Sequence, residues 1–311
     1  MNILLLGANG QLGRSFLEHG GLARLGQVTP ASRDGKRTDG GVAVVADLSA
    51  PDTLPSLLDT IRPQLIVNSA AYTAVDRAEQ EEDLATRING EAVGVISRWA
   101  AANDALVVHY STDYVFDGSG STPYRTDAAT APISAYGRSK LAGEKALTAS
   151  GANHLLLRTA WVYAAHGHNF LRTMLRLGAE REELRVVADQ HGAPTSTDLI
   201  VGGTLAAIQA WQQADTAQRQ AMQGTHHLVA SGHTSWHGFA TALLQAAHAK
   251  GLLQRMPRVV PITTAEFPTP AKRPGWSVLD NTSFQQRFGY ALPEWQDGLH
   301  HVIEKLHLQA G

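Results

Sequence analysis

A tyrosine and a lysine four residues apart, Tyr136 and Lys140, are the residues of this chain best suited to acid–base chemistry. Residues at this spacing lie on one face of a helix, and residues 134–149 have a helical pattern. A free tyrosine has a pKa of about 10, and a neighbouring ammonium together with an oxidised nicotinamide favours the phenolate. The pair predicts a phenol that exchanges a proton with a carbonyl oxygen, although the same spacing also occurs in ordinary helix-face pairs.

A hydroxyl group is placed to assist this chemistry at the end of an apolar strand pattern. Ser111, Thr112 and Asp113 directly follow the strand predicted over residues 105–110. A strand-end hydroxyl can donate a hydrogen bond to a carbonyl oxygen and orient it for proton transfer. We therefore predict that Thr112, Tyr136 and Lys140 form one catalytic group.

Three glycines predict a phosphate-binding turn. Gly7, Gly10 and Gly13 follow the apolar residues 2–6 and precede a helical pattern, with the spacing GxxGxxG rather than GxGxxG. Glycine lets the backbone approach a pyrophosphate, whose charge then meets the helix N-terminus. Because the turn follows a strand in an α/β chain, we predict a dinucleotide site rather than a turn without a ligand.

The end of the second strand bears on the choice of nicotinamide cofactor. Ser32 and Arg33 favour NADPH, because a hydroxyl and a guanidinium can share a 2′-phosphate. NADH stays possible, since Asp34 follows immediately and a carboxylate there would bind a ribose diol. Asp47, after the next strand, is predicted to contact the adenine. The small residues Ala70 and Ala71 leave room for the cofactor to cross the sheet edge.

Strand and helix patterns alternate through the first half of the chain and predict the architecture. This alternation is typical of a doubly wound parallel sheet of the Rossmann type. The second half is less regular and predicts a smaller C-terminal substrate-binding domain. We expect the cofactor-binding domain to comprise residues 1–163 and about 190–230, and the substrate-binding domain about 164–189 and 231–311. Predicted strands cover residues 2–6, 27–31, 42–46, 65–70, 105–110 and 155–159, and predicted helices 12–18, 52–61, 85–102, 134–149, 170–177, 198–213, 236–249 and 293–306.

Composition excludes several other classes of protein. The 311 residues carry a net charge of −2, which argues against a nucleic-acid partner. The sequence has no cysteine, so disulfides and cysteine-ligated metals are excluded. No apolar stretch reaches the roughly 18 residues of a membrane span, and the N-terminal apolar run is too short for a secretory signal. We expect a cytoplasmic protein without a membrane partner.

These motifs together resemble the extended short-chain dehydrogenases, and within them the branch that reduces dTDP-4-dehydro-L-rhamnose. The resemblance covers nearly the whole chain. It implies NAD(P)H-dependent reduction of the C4 keto group of this nucleotide sugar, which gives dTDP-L-rhamnose for cell-surface polysaccharide such as lipopolysaccharide O-antigen. The segments that carry it are residues 1–5, 67–76, 109–116, 136–145, 158–163, 169–170, 189–195 and 268–275.

The resemblance also implies roles for individual residues. Tyr136 would donate the proton, Lys140 would act on it electrostatically, and Thr112 would position the carbonyl. Arg273 would meet the substrate diphosphate. The other implied substrate contacts are Thr112, Asp113, Trp161 and Asn169, and the implied cofactor contacts are Gly10, Gln11, Leu12, Asp47, Leu48, Ala71, Tyr72, Thr73 and Tyr110.

Family members differ in their metal content and in their assembly. Some bridge a homodimer through Mg²⁺ held by glutamates, and the matching positions here are Ser15 and Asp198. Because one carboxylate is lost from a cation site that needs oxygen ligands, we expect a homodimer without a tightly bound structural Mg²⁺. The histidine pairs at 166 and 168, 226 and 227, and 300 and 301 lack a third ligand at suggestive spacing, so we predict no metal site there.

Two other functions stay open on the sequence. Related 4,6-dehydratases and epimerases share the fold, but the dehydratases carry a Thr-Asp-Glu motif, and Tyr114 stands here in place of that glutamate. A non-catalytic NADP-binding regulatory subunit is the other alternative. The intact Thr112, Tyr136 and Lys140 favour an active reductase over both.

Overall fold

The central element of the fold is a parallel sheet of seven strands. The structure is a computed structural model and describes residues 1–310. The strand order is β11-β6-β5-β4-β1-β2-β3, and every neighbouring pair is parallel. The strands are β1 Asn2–Leu6, β2 Gln27–Ser32, β3 Val44–Val45, β4 Leu65–Asn68, β5 Leu106–Thr112, β6 His154–Thr159, β7 Val162–Tyr163, β8 Glu183–Val187, β9 His191–Gly192, β10 Thr195–Ser196, β11 Gly224–His227, β12 Thr234–Ser235 and β13 Arg258–Ile262.

Helices cover both faces of this sheet. Along β1, Ile3 and Leu5 pack into one apolar core, whereas Leu4 and Leu6 pack into another on the opposite face. This arrangement confirms the predicted doubly wound sheet. The helices are α1 Gln11–His19, α2 Gly21–Leu25, α3 Leu54–Ile61, α4 Val75–Ala78, α5 Glu82–Thr86, α6 Ala92–Ala102, α7 Ala135–Ala149, α8 Phe170–Glu180, α9 Thr197–Gln213, α10 Thr216–Met222, α11 Trp236–Ala249, α12 Thr282–Phe288 and α13 Trp295–Ala310.

Pro30 lies within β2, which the sequence predicts despite the proline. A proline cannot donate a ladder hydrogen bond and is normally confined to sheet edges. The neighbouring strand β3 pairs only with Ala31 and Ser32, so β2 behaves as an edge strand where Pro30 lies. The predicted third strand over 42–46 is correspondingly too long, because only Val44–Val45 pair with β2.

The helix predicted over residues 85–102 is interrupted. A π-helical segment, Arg87–Glu91, separates α5 from α6. It carries the buried Asn89, whose side chain donates to Ser139 Oγ on α7 at 2.9 Å and accepts from the Tyr72 backbone at 2.8 Å. Gly143 on α7 packs against it so closely that a Cβ would lie 2.1 Å from the Asn89 carbonyl oxygen. The interruption therefore fixes the helix that carries Tyr136.

The second half contains more regular structure than the sequence predicts. Strand β11 extends the main sheet beside β6, and β8 pairs with β13 in a separate parallel pair. The sequence Gly-Thr-His-His of β11 lacks apolar alternation, which is why its pattern gives no strand. Strand β13 lies in the proline-rich segment predicted as loops and short strands. The division into two domains stays a prediction.

The helices of the protein differ from membrane-spanning helices in length or hydropathy. In the described part of the chain, none is both long and apolar enough to cross a bilayer.

A buried ion pair joins α7 to the main sheet. Glu144 accepts two hydrogen bonds from Arg158 on β6, at 2.9 and 2.7 Å, and both side chains are about one-twentieth exposed. Removing one partner leaves an uncompensated buried charge. We predict that Glu144→Ala lowers the free energy of unfolding by about 3–5 kcal/mol, measured by urea denaturation.

The control for this prediction is Glu82→Ala, which breaks a similar two-bond pair with Arg138 on the surface. Exposed pairs contribute about 0–1 kcal/mol. If the two variants lost equal amounts of the free energy of unfolding, burial would not be the reason that the Glu144–Arg158 pair stabilises the protein.

Candidate active site

The glycines of the turn after β1 allow other backbone segments to approach the turn closely. Gly7 has a φ of 80°, and a Cβ there would lie 2.7 Å from the Ala70 backbone nitrogen. Gly13 packs against the turn itself, since its Cβ would lie 2.1 Å from the Gly7 carbonyl oxygen. Helix α1 begins at Gln11 without a side-chain cap, so its first backbone N–H groups are available to an anion.

A groove of about 680 Å³ runs from this turn across the carboxyl ends of the strands. Its size and its helix N-terminus fit a dinucleotide, and its lining includes most of the predicted cofactor contacts. Those that line it are Gly7, Gly10, Gln11, Leu12, Ser32, Arg33, Asp47, Leu48, Ala70, Ala71, Thr73, Tyr110, Tyr136 and Lys140.

Two predicted cofactor contacts, Gly13 and Tyr72, lie outside the groove lining, and so do the predicted substrate contacts Thr112, Asp113, Trp161, Asn169 and Arg273. Gly13 packs in the turn, and the Tyr72 hydroxyl donates to Glu81 at 2.6 Å. The side chain of Asn169 caps α8, where it accepts from the Arg172 N–H, and it donates to Gln11 Oε1 and to two backbone carbonyls. Asn169 thus has several partners within the protein, and its contact with the substrate stays a prediction.

Ser32 and Asp34 interact at the end of β2. The Ser32 hydroxyl donates to Asp34 Oδ1 at 3.2 Å, and the Lys36 N–H donates to the same oxygen. The hydrogen bond from Lys36 is the main cause that lowers the pKa of Asp34. Arg33 is exposed and lines the groove. Arg33 and Asp34 thus both line the groove at the end of β2.

Tyr136 and Lys140 lie on α7 beside the end of β5. The Lys140 ammonium donates to the Tyr110 carbonyl oxygen at 2.6 Å, which ties the helix to the strand. Burial lowers the pKa of Lys140 to about 8. Burial also raises the pKa of Tyr136 to about 12, with the Thr112 hydroxyl acting in the opposite direction. The expected lowering of the Tyr136 pKa by Lys140 is not found, because desolvation of the phenolate sets the direction of the shift.

Thr112 and Asp113 are buried next to this pair. The Thr112 hydroxyl donates to Asp113 Oδ1 at 3.0 Å and accepts from the Tyr114 N–H at 3.2 Å. Desolvation raises the pKa of Asp113 to about 6, although hydrogen bonds from Ser277 and Thr112 oppose it. Among the described residues, Asp113 Oδ2 is buried without a hydrogen-bond partner. A buried carboxylate oxygen without a partner is uncommon in folded proteins.

Trp161 adopts a backbone conformation that L-residues rarely take. Its φ is 47°, in the left-handed region that is uncommon for a bulky residue. Its indole stacks on that of Trp236, with ring centroids 3.5 Å apart and an interplanar angle of 4°. Gly192 lies against it so closely that a Cβ would be 2.5 Å from the indole. Such strain typically occurs at functional sites.

Arg273 is held by an aspartate on the opposite side of the site. Its guanidinium donates to both carboxylate oxygens of Asp76 at 3.0 Å and to Thr269 Oγ1 at 3.0 Å. The Ala271 N–H also donates to Asp76. Asp76 therefore fixes the loop that presents Arg273, and no local pattern indicates this role.

The positions matched to magnesium ligands do not fit the ion. The buried Ser15 hydroxyl donates to Thr197 Oγ1 at 2.8 Å. The Lys305 ammonium lies 3.4 Å from Asp198 Oδ1, where it already supplies a positive charge. The histidines are used elsewhere, for example His226, whose Nε2 lies 2.7 Å from the Met222 carbonyl oxygen, and His166, whose Nε2 lies 3.0 Å from that of Gln11.

Sequence reasoning missed several groove residues. The Asn9 side chain donates to the Lys36 carbonyl at 2.7 Å and accepts from the Thr38 N–H, which ties the glycine turn to the loop after β2. Gly167 and His168 also line the groove. Their positions depend on long-range folding of the loop after β7, for which no local pattern exists.

Fold and site together define a class of protein: a nicotinamide-dependent oxidoreductase of the extended short-chain dehydrogenase type. A family model described as RmlD substrate binding domain matches residues 1–308. The chain belongs to this family.

Comparisons with individual proteins agree with this membership. A dTDP-4-dehydrorhamnose reductase of Burkholderia thailandensis is 46% identical over 298 residues, which cover 95% of this chain and 96% of the relative. A dTDP-4-dehydrorhamnose reductase of Clostridium acetobutylicum has a solved structure with a TM-score of 0.85 and 34% identity, covering 98% and 99% of the two chains. The enzyme of Bacillus anthracis, solved in complex with NADP, gives a TM-score of 0.82 and 32% identity over 97% and 98%.

The shifted pKa values of Asp113 and Lys140 predict the pH dependence of catalysis. Asp113 is ionised only above its pKa of about 6, and Lys140 is charged only below its pKa of about 8. We predict that kcat/KM for carbonyl reduction falls below pH 6 and above pH 8, and that Asp113→Asn removes the acidic limb while keeping the alkaline one. A pH profile of both proteins tests this, and an acidic limb that persists in Asp113→Asn would contradict it.

Proposed function

We propose that the protein reduces the C4 keto group of dTDP-4-dehydro-L-rhamnose with NADPH and so forms dTDP-L-rhamnose. The observation that carries this proposal is that Tyr136 and Lys140 line the dinucleotide groove with the Thr112 hydroxyl beside Tyr136, in a chain that matches the family model over residues 1–308. Relatives that are 40–46% identical over nearly the whole chain are dTDP-4-dehydrorhamnose reductases.

Tyr136 acts as the proton donor in this reaction. NADPH supplies the hydride that adds to C4. As that bond forms, the negative charge on the carbonyl oxygen is neutralised by the proton from the Tyr136 phenol, and a hydroxyl group results. With a pKa of about 12, the phenol carries its proton at neutral pH. The Lys140 ammonium then stabilises the phenolate by its charge.

The groups around this pair bind and orient the sugar. Thr112 donates a hydrogen bond to the carbonyl oxygen, and Asp113 accepts one from a sugar hydroxyl through its unpartnered oxygen. Trp161 packs against the sugar ring, and Arg273 contacts the diphosphate. Thr112 gives up its hydrogen bond to Asp113 Oδ1 when it donates to the carbonyl oxygen, and Asp113 gains a sugar hydroxyl at Oδ2, so the number of hydrogen bonds that each side chain makes is unchanged.

The cellular setting of the protein can also be inferred. We infer that the protein works as a homodimer in the cytoplasm, without nucleic-acid or membrane partners, and that its product serves cell-surface polysaccharide such as O-antigen. The net charge of −2 supports the lack of a nucleic-acid partner.

The decisive experiment offers the purified protein dTDP-4-dehydro-L-rhamnose with NADPH and follows cofactor absorbance and product. A reductase consumes one NADPH for each sugar reduced. A 4,6-dehydratase or epimerase recycles its cofactor, so turnover of the sugar without net consumption of NADPH would reject the proposal. A regulatory subunit would bind NADPH and show no turnover.

We predict that Tyr136→Phe lowers kcat by about 10²–10⁴-fold, the usual contribution of general acid catalysis. The change removes only the phenolic hydroxyl, so the Kd for NADPH should stay within a few-fold of the parent value. Tyr290→Phe is the control, because Tyr290 is partly buried and lies outside the groove lining. Activity of Tyr136→Phe equal to that of the control would remove Tyr136 from the mechanism.

We predict that the enzyme prefers NADPH and that Arg33→Ala raises the KM for NADPH about tenfold, leaving that for NADH nearly unchanged. The 2′-phosphate carries the charge that Arg33 recognises, whereas NADH has a neutral hydroxyl there. Arg37→Ala is the control, since this neighbouring guanidinium is paired with Asp39. The prediction would be wrong if the parent enzyme preferred NADH, or if Arg33→Ala raised the KM for both cofactors equally. Asp34, binding the ribose diol, would then be the residue that selects the cofactor.

A further inference from the structure

The loop that follows β2 folds back on itself as a short hairpin of residues 33–43, which we call the β2 hairpin. Lys36 and Val42 pair across it in an antiparallel bridge. Its first two residues, Arg33 and Asp34, line the dinucleotide groove. Because the Arg33 side chain leaves from this hairpin, the position of the hairpin decides where its guanidinium can meet a bound cofactor.

One side chain from another part of the groove holds this hairpin. Asn9 accepts from the Thr38 N–H at 2.9 Å through Oδ1 and donates from Nδ2 to the Lys36 carbonyl oxygen at 2.7 Å. Among the described residues, the other side-chain hydrogen bond that joins the β2 hairpin to the rest of the chain runs from the adjacent Ser32 to Asp34. A carboxamide offers a donor and an acceptor on one short side chain, so Asn9 fixes two backbone groups of the hairpin at once.

Asn9 belongs to the glycine turn, whose backbone is fixed independently of the hairpin. The N–H groups of Gly7 and Ala8 donate to the Ala31 carbonyl oxygen at 3.1 and 3.0 Å, and the Gly10 N–H donates to the Gly7 carbonyl oxygen at 2.9 Å. The turn is the predicted pyrophosphate site. In NADPH the pyrophosphate and the 2′-phosphate are carried by the same ribose, so the ligand fixes their separation. A site for both must hold its two parts at a matching distance, and Asn9 joins those parts.

A hairpin that is already in place makes binding stronger. The ordering of loops and side chains on binding weakens affinity, and a site held in its bound conformation avoids that loss. NADPH gains this benefit, because its 2′-phosphate is the group that the Arg33 guanidinium would contact. NADH has a neutral hydroxyl there and gains little from a fixed Arg33. The contacts of Asn9 can therefore change the choice between the two cofactors through Arg33.

We propose that Asn9 is a positioning residue for cofactor choice: its two hydrogen bonds hold the β2 hairpin against the glycine turn and so keep Arg33 in place for the 2′-phosphate of NADPH. The proposal rests on the preference for NADPH proposed above and extends it to a residue outside the strand end that carries Arg33. It gives the glycine turn a task in selectivity besides the binding of the pyrophosphate.

Equilibrium binding without turnover tests this proposal. Isothermal titration measures Kd for NADPH, NADH and 2′,5′-ADP, a fragment that keeps the 2′-phosphate and lacks the nicotinamide. Asn9→Ala should raise the Kd for NADPH and for 2′,5′-ADP about tenfold. The Kd for NADH should stay within about twofold of the parent value, because the backbone hydrogen bonds of the turn remain. Asn9 is exposed and its φ is not positive, so alanine fits this position.

A double-mutant cycle separates an action through Arg33 from a direct contact of Asn9 with the phosphate, since Asn9 also lines the groove. If Asn9 acts by holding Arg33 in place, its removal matters only while that guanidinium is present. Asn9→Ala should therefore change the Kd for NADPH by less than about twofold in the Arg33→Ala background. Losses that add in the double variant would overturn the proposal, because Asn9 would then bind the phosphate itself.

Hydrogen exchange of the cofactor-free protein gives a readout that involves no ligand. The amides of residues 36–43 should exchange several-fold faster in Asn9→Ala than in the parent. Asn103→Ala is the matched control, because this exposed asparagine also donates to a backbone carbonyl, that of Trp99 at 2.8 Å, and lies outside the groove lining. The control should match the parent in every Kd and in exchange. A change confined to the Thr38 amide would overturn the proposal, since the hairpin would then stay in place without Asn9.

The outcomes separate this inference from the proposed function. A parent that prefers NADPH, with Asn9→Ala binding both cofactors like the parent, would overturn the role of Asn9 and leave the cofactor choice standing. Equal losses for NADPH and NADH would also overturn it, because Asn9 would then serve the pyrophosphate turn alone. A parent that prefers NADH would reject the proposed cofactor choice and this inference together.

Discussion

The hydrogen bond from Lys140 to the Tyr110 carbonyl oxygen is the contact on which the arrangement of the site depends. All the proposed proton chemistry lies on two elements, the end of β5 and the first turns of α7, and this bond joins them. Helix α7 is held from its other side by Asn89 of the π-helical segment and by the Glu144–Arg158 pair. The phenol of Tyr136 and the hydroxyl of Thr112 are therefore presented by elements that cannot easily move apart.

Burial sets the electrostatic character of this region. Desolvation favours the neutral form of each group, so it raises the pKa of Tyr136 and Asp113 and lowers that of Lys140. A phenol that keeps its proton is suited to giving it up only when a stronger base appears beside it. An alkoxide forming under hydride attack is such a base, which couples proton transfer to the chemical step.

The local sequence pattern was enough to predict the sheet and the site residues that directly follow its strands. The alternation of strands and helices predicted the Rossmann architecture, and Gly7, Thr112, Tyr136 and Lys140 could be chosen because their spacing along one turn or helix is itself the signal. The pattern failed for residues whose positions depend on contacts with segments far away in the sequence. Strand β11 has two buried histidines instead of an apolar run, and the Asp76 contact with Arg273 has no local signature in the sequence.

The edge position of β11 has a consequence for how the protein is made. Strand β6 pairs with β5 on one side and with Gly224–His227 on the other. On the ribosome, β6 emerges long before β11, and the helix α9 must also be synthesised between them. During that interval the nascent sheet presents an unpaired backbone edge, which is a template for aggregation. The sheet is complete only after β11 has been synthesised. The nascent chain should therefore depend most on chaperones before residue 227 is translated.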